Sequence, residues 1–169
     1  AGLIIPGIVI YLLITGKWKP VLKDSRIYLY ALGVLIIFGL SIFAIDLINP
    51  GYAIRVWEYE LSGRFSQGIE GHTGPFYFYF MNLLTDWMFP HFVLLIPTVF
   101  LLFDKKMEDR TRSLLIYFLC VFSCFLLIIS LSQTKTFWYG AFLYFPVALI
   151  IALGVHHVSS RLWKVKPFL

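Results

Sequence analysis

The chain has 169 residues, 60% of them hydrophobic, with a mean hydropathy of +0.83. A soluble domain of this length cannot hide so much apolar surface, so composition excludes a soluble globular fold and points to an integral membrane protein. The formal charge of +5 is modest, and its distribution along the chain bears on membrane orientation rather than on nucleic-acid binding.

The chain opens with Ala1 and an apolar run, Gly2 to Thr15. As a helix that run rises only about 21 Å at about 1.5 Å per residue, short of the ~30 Å hydrocarbon core. It lacks the basic leader of a signal peptide. The expectation is therefore the tail end of a membrane helix that starts upstream, in the C-terminal part of a longer protein. Four further apolar segments follow: Ile27–Ile48, Phe89–Phe103, Ser113–Leu131 and Phe137–Val155. They do not alternate apolar and polar residues as the strands of a membrane barrel would. Pro97 and Pro146 predict kinks in the third and fifth segments, and Pro90 suits a first helical turn. Cys120 and Cys124 lie four apart in an apolar run. That spacing suits packing on one helix face, and no nearby ligands complete a zinc site. The expected fold is all-α: a polytopic transmembrane bundle of about five segments, the first truncated, forming one membrane domain over 1–169.

The loops predict orientation. "GKWKPVLKDSR", "DKKMEDRTR" and the tail with Arg161, Lys164 and Lys166 are rich in cations. They alternate with two poorer connections, the long loop 49–88 and the turn "SQTK". The positive-inside rule puts the rich loops in the cytoplasm, and the long loop and Lys135 on the outer or luminal side. The loop 49–88 is too long for a plain connection and too apolar for a disordered one. Its second half, "PFYFYFMNLLTDW", predicts a short interfacial helix with Tyr77, Tyr79 and Trp87 at headgroup depth.

Arg64, His72 and Lys135 are the cations singled out on that side, with Arg55 less clearly placed. A guanidinium grips phosphate oxygens by forked hydrogen bonds, an ammonium acts as a point charge, and either stabilises a departing phosphate. The alternative is that each snorkels to the interface. Lys135 is set apart because its turn is short and holds it close to the lipid phosphates. Glu58, Glu60 and Glu70 are candidates for a general base, a metal ligand or a partner of Arg64, or are solvated loop acids. Asp46 sits near the outer end of its helix, either at the wet interface or held by a cation such as Arg55. In "GHTGPF", Gly71 and Gly74 permit a tight turn that carries His72, as part of a site or as a structural brace. His91, His156 and His157 are expected at interfaces. No HExxH, nucleotide-binding glycine loop or GxSxG motif occurs.

"RVWEYELSGRFSQGIEGHTGPFYFYF" resembles the outer loop of lipid-dependent membrane glycosyltransferases of the GT-C fold, the protein O-mannosyltransferase and aminoarabinose transferase families. The shared pattern is Arg64-Phe65, then His72, Pro75, Phe76, Tyr77 and Tyr79. "SLSQTKTFWYGAFLYFPVALIIALG" is similar to the second family signature, through Ser130 or Ser132, Lys135, Tyr139 and Pro146. The resemblance implies transfer of a sugar from a polyprenyl-phosphate donor to a protein, lipid or glycan acceptor on the outer side of a membrane, in bacteria the inner membrane. Lys135, Arg64 and His72 would bind the donor phosphate, while Tyr77, Tyr79, Tyr139, Glu70 and Glu58 would contact the sugar or lipid. The catalytic acid of these families sits in a first outer loop that this sequence does not contain, so the chain alone is expected to be inactive. No cofactor follows with certainty, and a divalent metal stays open. Two other readings compete: part of a transporter or flippase for a lipid-linked substrate, and a membrane scaffold without a site. The sparsely charged helix centres count against transport.

Overall fold

The computed structural model describes residues 2–63 and 72–164. Its secondary structure among these residues is helical except for one isolated bridge, Thr73 to Thr134, so the all-α expectation holds. A short 3₁₀ turn, Gly2–Ile4, leads into α1 (Ile5–Ile14), followed by α2 (Trp18–Lys23) and α3 (Ser25–Ile48). Next come α4 (Tyr52–Arg55) with a π-helical extension, Val56–Gly63, and α5 (Phe78–Asn82) with another, Leu83–Trp87. Then follow α6 (Leu95–Phe100), flanked by 3₁₀ turns, α7 (Asp109–Leu131) and α8 (Phe137–Lys164).

Three of these, α3, α7 and α8, are long and apolar enough to cross a membrane. With 24, 23 and 28 residues they rise about 35–42 Å, enough for a ~30 Å core. The first segment, expected to be short, is a helix of 10 residues. The third is broken: Phe78–Asp86 and His91–Phe103 together qualify as one span only as a pair bent by 107°. Pro90 and Pro97 account for much of the break. Each lacks an N–H donor, and the helix restarts in 3₁₀ form at His91 so that Pro97 falls in the first turn of α6. Pro146 behaves differently, for the chain stays helical straight through it. The helix expected in the aromatic run is present as α5 and its π-helical extension.

The chain forms two compact units. One comprises Leu12–Gly74 and Ser132–Thr134. Its main element, α3, starts at Asp24, whose carboxylate accepts the Arg26 N–H as an N-cap at 3.0 Å. No residue of α3 is buried. A helix apolar all round and uncovered is unstable in water, and lipid chains complete it in a bilayer. Asp46, near its end, is half-exposed. It accepts the Ala53 N–H at 3.0 Å and so caps α4.

The other unit comprises Ala1–Tyr11, Pro75–Leu131 and Lys135–Leu169, and its core lies between α7 and α8. On α7 the positions Thr111, Leu115, Phe118, Phe122, Phe125 and Ile129 alternate four and three apart. All are buried but Phe118, which is half-buried against the core. On α8 the same spacing runs through Leu143, Val147, Ile150, Gly154 and His157, all buried. This is the seam of two helices packed side by side. Small residues let further elements approach it closely. A Cβ on Gly7 would come within 2.6 Å of the Val121 backbone, and one on Gly154 within 2.5 Å of the Thr98 hydroxyl. Tyr11 adds a 2.7 Å hydrogen bond to Ser113.

Candidate functional site

The two stretches that carry the family resemblance lie about sixty residues apart in sequence and meet in the fold. Two contacts join them. The backbones of Thr73 and Thr134 form the bridge. Separately, the Tyr79 hydroxyl donates to the Thr136 carbonyl at 3.1 Å and accepts the Thr136 N–H at 3.0 Å. Tyr79 is wholly buried: the phenol packs in an apolar core and satisfies both backbone groups of one turn residue.

Lys135 leads out of the same turn. Only 4% of the residue is exposed. Its Nζ donates to the carbonyls of Ser130 at 2.6 Å and Ile129 at 3.2 Å, and lies 5.6 Å from the centre of the Tyr79 ring. The local cause is the end of α7. The last carbonyls of a helix lack partners and carry the negative end of its dipole, and a lysine a few residues on reaches back to them. The Tyr79 ring face adds a cation–π contact. Burial pushes the ammonium below its ordinary pKa. In this arrangement the ammonium expected to hold a substrate phosphate is engaged by its own helix. The neighbouring Thr136 hydroxyl is buried and has no hydrogen-bond partner among the described residues.

The other predicted residues are dispersed in character. His72 and Tyr77 are exposed, and Glu58 is exposed on the π-helical turn after α4. Tyr139 is half-buried and packs against the core. Arg64 and Glu70 lie outside the described residues. No group of three or more potential metal-ligating side chains occurs among the described residues. Beside α5 and α7, Phe76, Tyr77, Phe80 and Leu126 line a mainly apolar cavity of about 360 Å³, with the Ser130 end of α7 at its rim.

A second cluster, at the opposite end of α7 and α8, was not foreseen. Asp104 accepts hydrogen bonds from the Lys106 N–H at 3.0 Å and from Arg161 at 2.6 and 3.3 Å, and pairs with His157 Nε2 at 3.0 Å. Its backbone carbonyl accepts from Arg112 at 2.7 Å. The His157 hydrogen bond first, then the Lys106 N–H, holds the Asp104 carboxyl below the usual carboxylate range. The sequence carried a signal for this. His157 and Arg161 continue the four-three seam of α8, a register in which polar residues need partners.

Comparisons with models of known families, with curated proteins and with solved structures gave no match.

Proposed function

We propose that the chain contributes the donor-phosphate side of a membrane glycosyltransferase, which moves a sugar from a polyprenyl-phosphate donor to an acceptor on the outer or luminal face, in bacteria the periplasmic side of the inner membrane. The observation that carries this reading is the meeting of the two family-like stretches, through the Thr73–Thr134 bridge and the Tyr79–Thr136 hydrogen bonds. A site assembled from two distant segments needs such a junction. Within the proposal His72 is the exposed cation offered to the donor phosphate, together with Arg64. Lys135 positions the turn by tying it to the end of α7. The apolar cavity at Phe76, Tyr77 and Phe80 suits the prenyl chain. The orphaned Thr136 hydroxyl supplies a donor or acceptor next to the junction.

One observation favours the membrane scaffold instead: the Lys135 ammonium is already engaged by two helix carbonyls. The deciding experiment is His72→Ala in the gene that encodes the chain, with protein level and glycan product measured together. His72 is exposed, so the level should hold. Losing a charge-stabilising donor at a reacting phosphate should cut product on the order of 10²-fold. Unchanged product at unchanged protein level would reject the enzyme and leave the scaffold.

A further inference from the structure

The Asp104 cluster borders a cavity of about 330 Å³ at the basic end of α7 and α8. Lys106, His156, His157 and Arg161 bring nitrogen donors to it, Thr111 and Ser160 bring hydroxyls, and Glu108 is its carboxylate. We propose that this cavity binds a phosphate monoester at the membrane surface, independently of the proposed transferase site.

The arrangement of Arg161 carries much of the inference. A guanidinium has five N–H donors in a planar fork. Asp104 takes the Nη1 and Nη2 edge, which fixes the plane. Among the described residues nothing takes the Nε edge, and Arg161 itself lines the cavity. Asp104 also fixes the ring of His157, buried at 6% exposure. The carboxylate thus acts as an orienting group behind the wall. Lys106 is held by its backbone N–H on the same carboxylate, and its side chain is exposed. Charge agrees with the geometry. Segments 104–112 and 156–164 carry Lys105, Lys106, Arg110, Arg112, Arg161 and Lys164 against Asp104, Glu108 and Asp109, an excess of cations before any histidine is protonated.

Depth selects the ligand class. Thr111 lies in the first turn of α7, just before its apolar run, and His156 to Arg161 lie just past the apolar run of α8. The cavity therefore sits where two candidate spans leave the hydrocarbon, at the level of lipid phosphates. Basic pockets between membrane helices at this level take anionic headgroups. A monoester suits the site better than a choline-capped diester, because its extra charge and open oxygens meet the fork, the ammonium and the hydroxyls together.

The test uses the whole chain in nanodiscs or mild detergent, with phosphatidic acid, phosphatidylcholine and inorganic phosphate as separate probes. The double variant Lys106→Ala, His156→Ala serves as control, since both side chains are exposed and removal should leave the fold intact. Retention of phosphatidic acid at least about tenfold above phosphatidylcholine, lost in the variant, establishes a lipid source. No lipid preference, but a rise in thermal midpoint with millimolar inorganic phosphate that the variant lacks, establishes a free phosphate source. Equal retention of both lipids with no phosphate response, or a phosphatidic acid preference that survives in the variant, overturns the proposal.

Discussion

The two ends of the α7–α8 pair solve the same problem in opposite ways. At the turn between the helices, the cation Lys135 is buried and is held by neutral helix carbonyls and an aromatic face. At the other end, His157 and Arg161 gather around the carboxylate of Asp104. The difference follows from what each end offers. The C-terminus of α7 presents carbonyls that lack helical partners and a partial negative charge, so a cation finds acceptors there. The far end of α8 points its basic side chains at a loop, and that loop must bring an acid. The first arrangement is closed and suits positioning. The second leaves donors over and opens onto a cavity, which suits binding.

The sharpest way to break this contrast is at the closed end. Tyr79→Phe removes the one group that satisfies both the N–H and the carbonyl of Thr136. Each buried backbone group left unmet costs about 1–3 kcal/mol, so the loss should be roughly 2–4 kcal/mol, read from the thermal midpoint of the purified protein. A neutral result would mean that water reaches the turn and that the end is not closed. Lys135→Met comes next. It keeps an apolar stem and deletes Nζ, and the lost charge-assisted bonds, offset by relief of desolvation, should leave a deficit of about 1–2 kcal/mol. If the variant were more stable than the parent, burial of the ammonium would outweigh its capping, and a purely structural role would be hard to defend.

At the open end the effects are smaller and depend on pH. The folded-state pKa of Asp104 is depressed. Its contribution to stability is therefore complete above the ordinary carboxylate value of 3.8 and is lost as pH falls through the lower folded value. Asp104→Asn should abolish that part of the acid limb, visible as a shallower loss of stability below about pH 4 in a pH series of thermal midpoints. Lys106→Ala should change the midpoint least, within about 0.5 kcal/mol, because its side chain is exposed and the backbone bond to Asp104 survives the substitution. A large destabilisation there would assign Lys106 to the framework of the cluster and not to its binding face.

Much of this was legible in residues. The apolar runs at Ile27–Ile48, Ser113–Leu131 and Phe137–Val155 became α3, α7 and α8, since a stretch of that length and composition has few stable alternatives to a membrane helix. The short "SQTK" turn and the helix at the aromatic run were also visible. The break in the third segment was only half visible. Two prolines announced an irregularity, but one proline bends a span and another is absorbed, and the neighbours decide which. Pro146 shows the absorbed case. The site divides in the same way. The family-like stretches named the residues, but nothing in them told that Tyr79 points inward or that Lys135 turns back onto its own helix. The Asp104 cluster left a faint trace in the four-three register of His157 and Arg161, while its acid lies more than fifty residues away.

Hydropathy and local spacing by themselves determined that this is a helical membrane protein, and roughly where most of its spans begin and end. These properties follow from the cost of moving each segment's side chains and backbone between water and lipid, and neighbouring residues suffice to set that cost. Only the tertiary structure decided which polar side chains are engaged and which are on offer. A hydrogen bond or ion pair depends on distances of about 3 Å between groups far apart in the chain, and no local pattern encodes those.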